Sequence, residues 1–488
     1  MKSSKLYLFL TPAQWLLAFT IGLAAAGSTY PLYASISPWI GVTLFIMGVT
    51  LVHFRYSSRF VIPFPHLAIS IASLQYVLAA WVSYNYPPSD PMYEMGSNLP
   101  IYLNYGAPVL LALVIGWGFG LVGLNRPIRK EIRGSPQLLQ ILDLLLLIGF
   151  LGLLVGRNFK TGNFEFVFAL ISNLRYVAVF GRMLCKAPGW KRRMVLAFGS
   201  EIVLAAGSGM FHSLLLYAMW GFALWIFTFA PSWRRVGLIG VIVLIALPAV
   251  QESKMQLRDQ TWGESTTTTG SDKTVMWLTY LWDSVNNVGR GNIDEEAISN
   301  MAVRYNQGWI VFRVMINVPN FEPYAQGETL KDAAVGALLP RFIFHDKATS
   351  GGQVNINRFA GILIAEGTTM NLGYAGEMYA NFGFYGGIIA CGVYALFFSL
   401  LFRMFCIKAF SSPLWWSILP YVGFSSLKAE DGISEVLNWT VKAIIMIIGV
   451  CLVSPTFRRA LFPPKNLVAA DSQDTRIHDA NTAHYPHA

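Results

Sequence analysis

The sequence predicts an all-α polytopic membrane protein of about twelve transmembrane helices with a large extracytoplasmic loop of short helices. Three observations carry that fold class. Apolar residues make up 54% of the 488 positions and charged residues 13%, about half the charged share of a soluble domain. The apolar residues fall in repeated blocks of about 17 to 24, long enough to cross a hydrocarbon core as helices. Lysines and arginines recur in every second connection. A soluble enzyme, a secreted scaffold and a disordered chain are excluded. Backbone polar groups in lipid must be satisfied within the segment, which selects helices for the blocks.

Nine blocks fall within 1–251, at 12–28, 34–52, 64–84, 101–123, 138–156, 164–183, 194–210, 213–230 and 236–251. Three more follow in 376–454, at 376–401, 413–428 and 435–454, before a polar tail, 455–488. Basic groups stand at Lys2 and Lys5, Arg55 and Arg59, Arg126 to Arg133, Lys186 to Arg193, Arg234 and Arg235, Arg403 and Lys408, and Arg458 to Lys465. Loops between these sites carry little charge, so the rule that cytoplasmic loops are basic places both termini in the cytoplasm. The first block also has the small residues of a signal-peptide cleavage site after it. The net charge of +10 is then a loop charge, and no nucleic-acid partner is expected. Cys185, Cys391, Cys406 and Cys451 lack metal or disulfide spacing and read as small core residues, and the tail histidines lack ligand spacing. No metal or cofactor is expected.

Residues 252–375 break the rhythm and form a polar extracytoplasmic cap. Ten basic and twelve acidic residues lie in 252–358. The run TVMWLTYLWDSVNNV predicts a helix lying on the membrane surface through Met276, Trp277, Tyr280 and Leu281. A second helix is expected over 293–317, capped by Asp294. Arg304 and Arg313 sit nine residues apart, which at 100° per residue points them in opposite directions unless Gly308 kinks the helix. Beyond it Arg341, His345 and Lys347 gather just outside the membrane and suit an anionic substrate, a diphosphate first of all. The stretch 358–375 holds Glu366 and is too interrupted to span, so it reads as re-entrant or interfacial. Glu377 and Asn381 share a face at the start of the next span.

Ionisable groups at membrane depth are costly and therefore suspect. Arg175 lies mid-span, either as a functional cation or as a partner of Glu201. His212 marks the outer edge of its span on the same side as Arg157 and Lys160, while Asp143 and Lys442 stand nearer the ends and middle of theirs. No phosphate-binding glycine loop, dinucleotide fingerprint, zinc-binding helix or serine elbow occurs. The pattern is an outward cavity rimmed by arginines, a histidine and glutamates, fit for transfer chemistry on a lipid diphosphate or for transport of an anionic lipid.

The run RYNQGWIVFRVMINVPNFEPYAQGETLKDAAVGALLPRFIFHDKA, followed by NLGYAGEMYANFGFYGG, resembles bacterial O-antigen and exopolysaccharide repeat-unit polymerases. The matching motifs cover about 304–387, and the proline that usually follows the lysine of the Pro-Arg motif is here Ala348. The resemblance implies a multi-pass enzyme of the bacterial inner membrane. Its substrate would be an oligosaccharide on undecaprenyl diphosphate, its neighbours membrane lipids and possible chain-length-regulator and flippase partners. It implies glycosyl transfer without a metal, with Arg341 and Arg358 on the diphosphate and Arg304 or Arg175 as a deeper clamp. Glu377 or Glu366 would be the base or orient the acceptor, with His345 as an alternative base. Trp277, Tyr324 and Tyr379, with Asn381, would contact sugar. A ligase moving finished glycan to another acceptor would use similar electrostatics. A lipid-linked-glycan transporter should show matching halves, and a structural partner of a secretion complex would need no charged rim.

Overall fold

The computed structural model describes residues 9–29, 38–58, 60–88, 90–95, 99–124, 134–158, 162–208, 211–261, 270–289, 299, 302–338, 352–364 and 370–464. Every regular element among them is helical. In chain order these are α1 (Pro12–Thr29), α2 (Pro38–Ser57), α3 (Phe64–Asn85), α4 (Leu99–Leu121), α5 (Pro136–Asn158), α6 (Gly162–Leu184), α7 (Trp190–Ser208), α8 (His212–Phe229) and α9 (Trp233–Thr261). There follow α10 (Gly270–Gly289), α11 (Gly308–Asn317), α12 (Glu328–Leu338), α13 (353–360), α14 (Gly373–Ser411), α15 (Trp415–Val422), α16 (Ile433–Val453) and α17 (Pro455–Leu461). Among the described residues nine helices are long and apolar enough to cross a membrane: α2 to α6, α8, α9, α14 and α16.

Three expected spans differ. The apolar part of α1, Pro12–Ala26, is shorter than the others, and α7 opens on Lys191, Arg192 and Arg193 and carries Glu201. The expected span at 413–428 is a helix of only 8 residues, α15. Pro413 cannot extend α14, and Pro420 removes an interior donor from α15. The chain then turns and makes one 3-10 turn, Ser425–Leu427. Because α16 begins beside the start of α14, through a bond from Ile433 N–H to Glu377, residues 412–432 return the chain in pieces rather than as one helix.

Two compact units divide the chain, each built from segments far apart in sequence. The first comprises 1–127, 195–403 and 422–442; the second comprises 128–194, 404–421 and 443–488. In the first, α4 and α14 meet through small residues. A Cβ on Gly116 would stand 2.3 Å from the Gly392 carbonyl, and one on Gly120 would stand 2.2 Å from Ser399 Oγ. That closeness lets Ser399 Oγ donate to the Trp117 carbonyl at 2.8 Å. Backbone approach of this kind supplies the van der Waals contact that holds helices together in lipid.

In the second unit α5 and α6 use the same device. Gly149, Gly152 and Gly156 face Arg175, Ile171 and Phe168, with Cβ clearances of 2.7, 2.6 and 2.9 Å respectively. At the basic end of α5, Asp143 pairs with Arg182 and receives Arg193 Nε at 2.7 Å. Asp143 thus ties the end of α6 and the start of α7 to α5. Arg175 is 1% exposed; its Nη1 donates to the Ser172 carbonyl at 2.8 Å and its guanidinium lies 4.7 Å from the Tyr176 ring centre.

The cap helix α10 forms where expected but turns the other way. Met276, Trp277, Tyr280 and Leu281 pack on Ala205, Ala206, Phe211, Leu214 and Leu257 of the same unit, not on a membrane surface. Trp277 is buried because its N–H finds a partner there, Ser253 Oγ at 3.1 Å. The opposite face exposes Val275, Leu278, Trp282 and Val285. The helix expected over 293–317 is interrupted at Asn306 and Gln307, leaving Arg304 on a short helical turn and Arg313 on α11.

Candidate functional site

A hydrogen-bonded frame in the first unit sets the site. Residues 73–78 of α3 form a π-helical turn, the widened geometry often found beside functional sites. Tyr76 sits in that turn. Its Oη donates to the Ala429 carbonyl at 2.5 Å and accepts from Ala375 N–H at 3.3 Å. From α4, Tyr102 Oη donates to the Tyr76 carbonyl at 2.5 Å and Tyr105 Oη to the Ala375 carbonyl at 2.8 Å. Gly373 is required here: its φ is +67° and a Cβ would meet the Ala429 carbonyl at 2.7 Å. Two membrane helices, α3 and α4, thereby hold the loop before α16 against the start of α14.

Glu377 is 2% exposed, and its Oε2 accepts Ile433 N–H at 2.7 Å. It therefore caps α16 rather than its own helix, satisfying one of the donors a helix start leaves open. Glu435 approaches the same point beside Gly432; a Cβ there would stand 2.6 Å from Glu435 Oε2 and 3.2 Å from Glu377 Oε2. Asn381 fastens the cap. Its Nδ2 reaches Thr329 Oγ1 and the Glu377 carbonyl, both at 2.8 Å, and its Oδ1 accepts Gly327 N–H at 2.9 Å.

The loop held by this frame carries the charge. Lys428 Nζ lies 3.2 Å from Asp431, which also accepts from Ser425 Oγ. Glu430 meets His212 Nδ1, at the start of α8, at 3.2 Å. The side chains of His212 and Glu430 are 32% and 20% exposed, shielded yet reachable. Arg304, Lys428 and Lys254, from three separate elements, all act electrostatically on both members of that pair. Burial pushes the Glu430 carboxyl above the usual carboxylate range; Arg304, Lys428 and Lys254 oppose that rise and Asp431 adds to it. Tyr305 lies in the same field, its hydroxyl pKa raised by burial and by Glu430 and lowered by Arg304.

Of the residues expected from sequence, the structure brings Arg304 and His212 into this cluster and sets Glu377 in the frame beneath it. Arg358 stands elsewhere. Its Nε donates to Glu322 at 2.5 Å and its Nη1 to Glu328 at 3.1 Å, and it lies 4.7 Å over the Phe359 ring. The Glu322 bond, and after it Glu328, hold its pKa above the ordinary arginine value. As built it is a staple joining three cap segments. Tyr324 packs its ring 3.1 Å from the Cβ position of Gly383, where α14 breaks helical geometry. Tyr379 is 7% exposed and edge-on to Tyr105 at 5.2 Å. Trp277 is buried against Phe211, so neither it nor Tyr379 presents an open face, whereas Tyr324 is half-buried. Arg175 belongs to the second unit. Arg341, His345, Lys347 and Glu366 lie outside the described residues, as does the side chain of Arg157.

Sequence reasoning missed Lys254, Lys428, Glu430, Asp431 and Glu435. The signal was the run LKAEDGISE, dense in carboxylates for a short turn between two apolar stretches. Among the described residues no group of His, Cys, Asp and Glu has metal-binding geometry. In chemical terms the cluster offers a part-shielded carboxylate beside a histidine in the field of three cations, of which Arg304 is exposed, Lys428 is paired with Asp431 and Lys254 is buried. Compared with family models, curated proteins and solved structures, the chain matches none of them.

Proposed function

We propose that this chain polymerises undecaprenyl-diphosphate-linked oligosaccharide repeat units by glycosyl transfer on the extracytoplasmic side of the bacterial inner membrane. The observation that carries the reading is the half-shielded His212–Glu430 pair among Lys254, Arg304 and Lys428. The resemblance along 304–387 supplies the substrate class. An acceptor hydroxyl oxygen forms the new bond to the anomeric carbon of the growing chain. The bond from that carbon to the lipid diphosphate breaks, and its electron pair leaves with the diphosphate. Glu430 takes the hydroxyl proton, with His212 orienting the carboxylate. Arg304 and Lys254 neutralise charge as it develops on the leaving diphosphate, the role that the resemblance also gives Arg341. Glu377 holds the loop that carries Glu430, and Asn381 holds the cap. The twelve-span topology and both cytoplasmic termini belong to the same proposal, since they place the cluster on the outer face.

The test is reconstitution of the purified chain in nanodiscs with undecaprenyl-diphosphate-linked repeat units from its own pathway. A ladder of lengthened glycan-lipid with release of undecaprenyl diphosphate is expected. Transfer only when a second, non-lipid-linked acceptor is supplied would replace polymerase with ligase. Movement of intact substrate across vesicles without bond formation would sink the enzyme reading.

A further inference from the structure

In the second unit, α16, α17 and α15 form a groove of about 360 Å3 lined by Trp415, Ile447, Ile448, Cys451, Leu452 and Phe462, with Arg458 and Arg459 also in its lining. Its aromatic wall is pinned by a hydrogen bond and a ring contact. Trp415 Nε1 donates to the Leu461 carbonyl at 3.1 Å, and the Trp415 and Phe462 rings meet edge to face at 5.3 Å. Beside the groove the same helix exposes Ile445, Ile448, Leu452 and Val453, a surface that belongs against hydrocarbon. Lys408 Nζ lies 5.3 Å from the Phe462 ring centre, a third cation beside the groove. Both arginines are exposed, and among the described residues no carboxylate pairs with either.

An apolar trough with two exposed arginines in its wall is complementary to one molecule of the bilayer. We infer that this groove seats an anionic phospholipid, one acyl chain along α16 and its phosphate on Arg458 and Arg459, with Lys408 adding charge. The guanidinium forks match phosphate oxygens bidentately. Basic pockets between membrane helices on the cytoplasmic side are suited to anionic head groups, and the charge rule assigns this end of α16 to that side. The groove shares no residue with the proposed catalytic cluster, so its occupant is structural or regulatory.

The test is native mass spectrometry of the full-length protein, titrated with phosphatidylglycerol or phosphatidylcholine of the same acyl chains. The parent is expected to retain phosphatidylglycerol about 30-fold more strongly, roughly fivefold from each arginine near an anionic head group. Arg458→Gln with Arg459→Gln should reduce that preference to about fivefold or less, the share left to Lys408. Ile448→Trp, at an exposed groove position, should weaken retention of both lipids while leaving the arginines in place. A second arm adds inorganic phosphate in excess, which should not displace the lipid. Equal retention of the two lipids by the parent would overturn the inference. So would anionic retention unchanged in the double variant, or displacement by phosphate alone.

Discussion

Glu430 and Arg358 show how burial and pairing separate groups that look alike in a sequence. Glu430 is raised above the ordinary carboxylate range by burial, while neighbouring cations restrain the rise. A base must be ionised to work, so lengthening should fail as pH falls through that raised pKa. Arg304→Gln removes a charge that favours the ionised form; the acid limb of the pH–rate profile should then move to higher pH, besides a loss of rate. A limb that stays in place would detach Arg304 from Glu430. Arg358, by contrast, already has two carboxylate partners, with side chains 25% and 52% exposed. Pairs that open to solvent contribute roughly 0.2–1 kcal/mol each. Arg358→Ala should therefore lower the Tm of the purified protein modestly and reduce lengthening less than tenfold. Arg304→Ala should reduce it about 100-fold, the scale of losing one donor to a developing oxyanion. The opposite ranking would restore Arg358 to the site. Nothing local marked Arg358 as a staple, because Glu322 and Glu328 reach it only through the fold. Glu377 was legible as important, but its role as a cap for α16 depends on a helix that begins fifty-six residues later.

At the scale of elements, α14 organises the first unit through both its ends. Near its start, Gly373→Ala would force a Cβ toward the Ala429 carbonyl at φ +67°. Strain of that kind costs roughly 1–3 kcal/mol, and the loop bearing Glu430 should shift. Lengthening activity should fall with a smaller drop in Tm than in Gly116→Val, which drives a side chain into the Gly392 backbone at the α4–α14 contact. Thermal scans of the two variants beside activity separate the effects; equal behaviour would mean the frame does not position Glu430. Helix existence was largely legible here, since long apolar blocks must satisfy their own backbone in lipid. The return at 412–432 was not. Its apolar composition reads as a span, and only Pro413, Pro420 and Gly423 hint that the helix stops. Helix α10 shows the same limit: it carries two apolar faces, and which one turns to protein depends on the buried partner of Trp277.

For the whole molecule, the alternating loop charges and the proposed place of the cluster on the outer face make a single topological claim. Cysteines placed at Trp282 and at Arg192, on a background lacking the four native ones, report the two sides. An impermeant thiol reagent should label Trp282→Cys in intact spheroplasts, and Arg192→Cys only after permeabilisation. Reversed labelling would invert the protein and move the cluster away from the leaflet that presents the substrate. The composition and charge pattern made the membrane class legible from the chain alone. The cluster itself was not, because it draws on α8, α9, a short turn at 302–305 and the loop before α16. Those segments are remote in sequence and meet only when the unit is assembled.

The central claim, that Glu430 is the proton acceptor in glycosyl transfer, is tested most directly by one comparison in the reconstituted system. Single-turnover lengthening is measured for the parent, Glu430→Gln and Glu435→Gln, each shown to be folded by its Tm. The account predicts a loss of about 100- to 10,000-fold for Glu430→Gln, the range for removing a general base, with Glu435→Gln close to the parent. Lengthening by Glu430→Gln at the parent's rate would contradict it.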